Sequence, residues 1–261
     1  FSQTGGAQFD QVTANVGGKL NIQSLQDSQQ YKQQSQQVSA SATIGPASGG
    51  SLSLGQTKIN SDYQSVNEQS AIRAGDGGFA VKVQGQTTLT GGQITSTDKA
   101  VQEGKNTFIS AGGTQTQDLQ NSASYQASSV SVGLGAGSPA PGQALSAGIS
   151  GVGIGSDKGS ANSTTTAGIS GVAGNTAART GDKSTSLTPI FDKEKSQKEV
   201  AAQVAITSEF GKQASKAVGD YAATKLKEAQ NAGDQAGIEA WKEGGSSRVA
   251  LHTAVGGLTG G

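Results

Sequence analysis

KLNIQSLQDSQQYKQQSQQVSASATIG, residues 19–45, decides how the rest of the chain is read. Two readings compete: low-complexity Gln/Ser text that stays unfolded, or ordered structure whose surface needs Gln and Ser. Its flanks favour order. Leu20 and Ile22 alternate with Asn21 and Gln23, and Val38, Ala40, Ala42 and Ile44 alternate with Ser39, Ser41 and Thr43. That is the period-2 pattern of strands with one buried face. The stretch also recurs as NTFISAGGTQTQDLQNSASYQASSVSVGLG at 106–135. Each copy runs from a strand through Gln-Asp (Gln26-Asp27, Gln117-Asp118) to a Tyr (Tyr31, Tyr125), then a Ser/Val strand. Between strands 20–22 and 38–44, residues 26–36 form either a tight rung or a loop bulging from it, and a length difference between Asp and Tyr points to the loop.

Further alternation follows outward from this stretch. Phe79, Val81 and Val83 alternate with Ala80, Lys82 and Gln84, and Val130, Val132 and Leu134 do the same. The intervening AGDGG, LTGG and SAGG segments supply the glycines that sharp turns need. Short strands, glycine turns and self-similarity together predict a solenoid over 1–134. The expected fold is mainly β: a right-handed parallel β-helix, then a Gly/Ser-rich linker and a small α-helical C-terminal region. At about 20 residues per coil and roughly 4.8 Å per rung it forms a rod on the order of 30 Å long. Gln and Ser then cover the rod rather than fill it.

Composition supports a thin, repetitive core. Only 33% of the 261 residues are hydrophobic, 4% are aromatic and 40 are Gly, too few large apolar side chains for an ordinary enzyme core. The 19 basic and 19 acidic residues balance, which removes the electrostatic argument for nucleic acid or an anionic membrane surface as partner. The chain has no Cys, so it holds neither disulfides nor thiolate metal sites. That suits a chain exported unfolded through an oxidising compartment. The opening FSQTGGAQFD lacks the basic start and apolar run of a leader, and both ends read as cut within a longer protein.

The text changes along the chain. Residues 135–188 read as decayed repeats and linker, with SPAPG (138–142) as a loop and AGIS repeated at 147–150 and 167–170. Residues 189–261 read as helical. Thr188-Pro189 or Asp192 starts a helix whose apolar face carries Val200, Val204, Val218 and Leu226, with a break expected near Gly211. Asp234 caps a shorter helix through Trp241, stopped at Gly244-Gly245, and SSRVALH opens a third. The organisation is therefore three segments: 1–134, 135–188 and 189–261.

No catalytic constellation emerges, so the chain is expected to be non-enzymatic, with no catalytic, cofactor-binding or metal-binding residue. His252 is the only His, and Trp241 the only Trp. Both read as helix packing or surface residues. Asp62, Asp76, Asp98 and Asp118 sit in turn contexts. Lined up on one face they would resemble a carbohydrate enzyme's carboxylates, but no Arg or His partners accompany them. GDGG (75–78) lacks the repeat spacing of a calcium turn, and GVGIG (151–155) lacks the helix and Lys of a phosphate loop. The terminal AVGGLTGG has small residues spaced for close helix approach, which points to membrane or helix contact near the C-terminus.

LNIQSLQDSQQYKQQSQQVSAS (20–41) and DYQSVNEQSAIRAGDGGFAVKVQGQTTLTGGQITS (62–96) closely resemble the hemagglutinin repeat of filamentous-hemagglutinin-like exoproteins of two-partner secretion systems. IFDKEKSQKEVAAQVAITSEFGKQASKAVGDYA (190–222) and WKEGGSSRVALHTAVGGLTGG (241–261) resemble the pretoxin region of contact-dependent growth inhibition proteins in that family. The resemblance implies a parallel β-helix at the cell surface, an outer-membrane secretion partner and a target-cell outer-membrane receptor. It implies a structural and delivery role for a C-terminal toxin. The alternative is an adhesin stalk that attaches to host or neighbouring cells.

Overall fold

The computed structural model describes residues 9–43, 49–137 and 146–260, apart from the side chains of 146, 147, 215 and 255–260. The chain folds into two compact units. One comprises the residues up to Gln30, with Ser61–Tyr125 and Gly159–Ile190; the other comprises Tyr31–Asn60, Gln126–Lys158 and the residues from Phe191 onward.

The first unit is built on short parallel ladders. Strands β1 (Phe9–Val16) and β2 (Leu20–Gln23) precede two long strands, β3 (Asp27–Thr43) and β4 (Gly49–Ser65), and then β5 (Ala71–Val83). After β6 (Thr87–Thr90), β7 (Gln93–Thr95) and the short helix α1 (Asp98–Gln102) come β8 (Thr107–Ser110) and β9 (Thr114–Gln117). β1, β5 and β8 pair in parallel, with Ala14 beside Val81 and Val81 beside Phe108. β2, β6 and β9 do likewise, with Ile22 beside Leu89 and Leu89 beside Thr116. The stacked aliphatics form a core of Leu20, Ile22, Phe79, Val81, Val83, Leu89, Ile94 and Ile169. Period-2 alternation is the cause: in β2 and β6 every second side chain is buried.

Thr97 caps α1. Its hydroxyl accepts from the Ala100 N–H at 3.3 Å and donates to Asp76 at 2.7 Å. That bond holds the Asp76 carboxyl below the usual carboxylate range. Thr97→Ala is expected to cost about 1 kcal/mol, the ordinary worth of an N-cap, in urea unfolding.

The expected right-handed parallel β-helix followed by a linker is not what the chain forms. The sheets are mixed, and the described residues contain no closed solenoid. Residues 26–36 are not a loop: Asp27–Thr43 is one continuous strand. With β4, β10 (Leu119–Gly137) and β11 (Ser146–Thr165) it makes a four-stranded sheet in the order β11-β10-β4-β3. Much of the supposed linker is therefore strand. The physical reason lies in the side chains. Val38, Ala40 and Ala42 share one face of β3, but almost every residue of the strand is exposed, so that row is not stacked in a core; pairing with its sequence neighbour satisfies the backbone at little loop-closure cost. Ile44 and the SPAPG segment lie outside the described residues.

A two-residue pair, β12 (Gly168–Ile169) antiparallel to β13 (Ala173–Gly174), completes the strands. Three helices follow: α2 (Lys193–Ala232), α3 (Gln235–Trp241) and α4 (Ser246–Gly260). Asp192 caps α2 and Asp234 caps α3 through their side chains. Unlike the expected break, α2 runs straight through Gly211 and Gly219 and ends at Gly233, whose φ of 66° is the left-handed conformation that closes a helix. No described helix is long and apolar enough to cross a membrane, and the side chains of 255–260 in AVGGLTGG are outside the description.

Candidate functional site

The feature the sequence marks most strongly is the Gln-Asp signature, and the structure gives it a job. Asp27 opens the strand pair β3–β4, and its carboxylate accepts a hydrogen bond at 2.7 Å from Asn67, two residues beyond the end of β4. Asp118 opens the pair β10–β11, and its carboxylate accepts at 2.8 Å from the N–H of Ala167, two residues beyond the end of β11. Each Asp therefore latches the entry of a two-strand excursion to its exit. Gln26 adds a second tie by donating to the Gln120 carbonyl and to Asn121. The repeat unit is a latched antiparallel hairpin, and the described residues carry two.

Within residues 31–43, 49–60, 126–137 and 146–158 the sheet has two unlike faces. Ser41 meets Ser51 at 2.7 Å, Thr57 meets Ser129 at 2.8 Å, and Gly153 lies against Ser131. These contacts put Ser, Thr and Gly on one face. Alternation then puts Val38, Leu54, Val130, Val132, Leu134 and Ile154 on the other. Val38, Leu54, Val130 and Leu134 are exposed, Val38 at 68%.

The small-residue face receives α2. Val200 packs with Ile59 and Ala127, flanked by Tyr31 and Phe191, whose rings lie 5.4 Å apart. Farther along, Gly155, Gly153 and Gly151 lie under the carbonyls of Val200, Val204 and Ser208. Four helical residues rise about 6.0 Å and two strand residues about 6.8 Å, so the two series stay in step over this distance. Helix side chains also satisfy the strand's backbone. The Ile154 N–H donates to the Thr207 hydroxyl at 2.8 Å, and the Ser156 N–H donates to the Gln203 side-chain oxygen at 2.8 Å. Ser196 donates to Asp157 at 2.8 Å. GVGIG is thus a helix seat.

The other residues singled out from sequence are not brought together. Asp76 binds Thr97 and, at 3.4 Å, Lys99; Asp98 pairs with Arg179 at 2.7 Å; Asp118 is the latch; Asp62 is exposed. Among the described residues no group of three or more His, Asp or Glu side chains is placed to hold a metal ion. In GDGG the Gly77 N–H donates to Asp10 at 3.1 Å, a tie between strands. Trp241 packs edge-on against Tyr221 at 5.8 Å, and His252 is exposed on α4. Sequence reasoning missed Gln203, Thr207 and Asn121, which look like ordinary surface polar residues until their partners are known.

The Gln-Asp stretch of β3 is also where a known family matches. Residues 3–40 match the hemagglutinin repeat. Beyond that stretch the chain is similar to proteins named CdiA. It is 34% identical over 86% of its length to a protein named tRNA nuclease CdiA from Yersinia mollaretii, and 36% identical over 86% to Toxin CdiA from Escherichia coli. It is 30% identical over 80% to Deoxyribonuclease CdiA from Yersinia pseudotuberculosis. The chain spans 8% of the length of the first two and 21% of the third. No solved structure matches it. The expectation of no enzymatic activity concerns this chain, whereas the nuclease names belong to proteins far longer than it.

Proposed function

We propose that this chain is a structural and delivery segment of a secreted contact-dependent growth inhibition exoprotein, one that carries a toxin without being it. A single observation carries the reading. Most of the chain aligns at similar identity, 34% over 86% and 30% over 80% of its length, with a relative named as a tRNA nuclease and with one named as a deoxyribonuclease. A segment common to proteins named for different substrates does not choose the substrate. In this reading 1–134 is the repeat segment, 135–188 an intermediate segment and 189–261 pretoxin-like. Delivery calls for an outer-membrane secretion partner, display at the cell surface and an outer-membrane receptor on the target cell. The segment is held in the periplasm or enters the target during transfer.

The test uses the whole exoprotein in a co-culture of inhibitor and target cells. Deleting the codons for 9–260 is expected to abolish killing, while immunoblots of surface material still show secretion and the toxin expressed inside target cells still kills. The purified chain is expected to leave tRNA and duplex DNA intact with and without divalent metal. Persistent killing by the deletion strain, or nuclease activity of the chain, overturns the reading. Loss of killing in proportion to loss of cell attachment favours the adhesin alternative.

A further inference from the structure

The two hairpins pair with one another, and that pairing shows how the repeat extends. β4, the second strand of the first hairpin, lies beside β10, the first strand of the second. Thr57 and Ser129, with hydroxyls 2.8 Å apart, mark their register. Tyr31 and Tyr125 occupy the same place in the two copies, and each precedes a serine four residues on, Ser35 and Ser129. Ser35 is therefore the first copy's counterpart of Ser129. β10 uses its edge at this position to receive β4. β3 ends the sheet order among the described residues, and Ser35 is exposed.

The opposite end differs. β11 is the second strand of the second hairpin, so by the pattern of β4 it would receive the first strand of another copy. α2 stands there instead. Thr207 and Gln203 take up the N–H groups of Ile154 and Ser156, and the glycines at 151, 153 and 155 make the room. Covering a strand edge with a helix is a standard way to stop further pairing.

We propose that the outer edge of β3 is a pairing surface for the second strand of another hairpin of this repeat, and that α2 closes the β11 edge, so the sheet extends from one side only. The occupant is a Gly/Ser-rich strand of the β4 type, set with its Thr57 opposite Ser35. This is independent of the delivery reading, because it rests on the repeat and the sheet order alone.

The natural absence of Cys makes the test clean. A peptide of residues 49–65 carrying Thr57→Cys is mixed, under mild oxidant, with the full chain carrying Ser35→Cys or, as control, Gln36→Cys. Circular dichroism checks that both exposed-site variants retain the parent spectrum. Disulfide coupling is expected to be at least tenfold faster at Ser35→Cys than at Gln36→Cys, whose side chain points to the other face. Equal rates, or no adduct with either, overturn the proposal. So does self-coupling of the Ser35→Cys chain that outruns peptide coupling, which would make a second copy of the chain the occupant.

Discussion

Gly155→Val is expected to undock α2 and destabilise the chain by about 3 kcal/mol, the upper end of ordinary overpacking. A Cβ at Gly155 would overlap the carbonyl oxygen of Val200, and one at Gly153 would lie 2.5 Å from that of Val204. Both obstacles are backbone, so no rotamer change relieves them. Val200 also closes the small core with Ile59 and Ala127, so lifting the helix loosens that core too. The thermal midpoint, followed by circular dichroism at 222 nm, is expected to fall by roughly 10 °C. Amide hydrogen exchange at Ile154 and Ser156 is expected to accelerate, because their acceptors Thr207 and Gln203 leave with the helix. Gly219→Ala is the control. It sits in α2 with nothing near its missing Cβ, so the change is expected to stabilise by about 1 kcal/mol through helix propensity alone. Opposite signs for the two glycines support the seat; equal signs would show that close approach is not what holds Gly155.

Local patterns were legible where one side chain alternation decides one strand. Leu20 and Ile22, Phe79 to Val83, and the caps Asp192 and Asp234 lie where period and capping chemistry put them. The partners of those strands were not legible. Ser39 to Thr43 and Val130 to Leu134 alternate as a rung of a solenoid would, yet they belong to antiparallel hairpins. Alternation reports that a strand has two unlike faces; it carries no information on whether the neighbour runs parallel. The repeat was visible as text, and Gln-Asp was its signature, but a carboxylate that latches Asn67 or Ala167 is read only from the fold. The glycines at 151–155 lie in β11, as turn and strand text would, but their use as a helix seat was not legible. Loop, phosphate cradle and helix seat all need Gly, and only the position of Val200 and Val204 separates them.

The latch region holds one buried polar side chain whose replacement tests the hairpin base directly. Asn121 is 1% exposed. Its side-chain oxygen accepts from the Val66 N–H at 3.0 Å and from Gln26 at 3.1 Å, and its amide donates to Thr165 at 2.8 Å and Ser163 at 3.0 Å. It ties the strand after β9 to the exits of both hairpins. Asn121→Leu is nearly isosteric, so the loss is polar rather than a cavity. The Val66 N–H, in a residue only 1% exposed, is then left without an acceptor. Thr165 keeps the hydroxyl of Thr185 at 3.2 Å, which limits the damage on that side. A buried unsatisfied donor costs about 1–3 kcal/mol, and the lost bonds to Ser163 and Gln26 add to it. We expect about 3 kcal/mol in urea unfolding, seen as a lower midpoint at unchanged slope. Gln64→Ala removes a comparable side-chain bond, 3.0 Å to Gln26, in an exposed setting. It is expected to change stability by less than about 0.5 kcal/mol, since water replaces the lost partner. If the two substitutions cost the same, burial of Asn121 is not what makes its network strong, and the latch is held by the carboxylates of Asp27 and Asp118 alone.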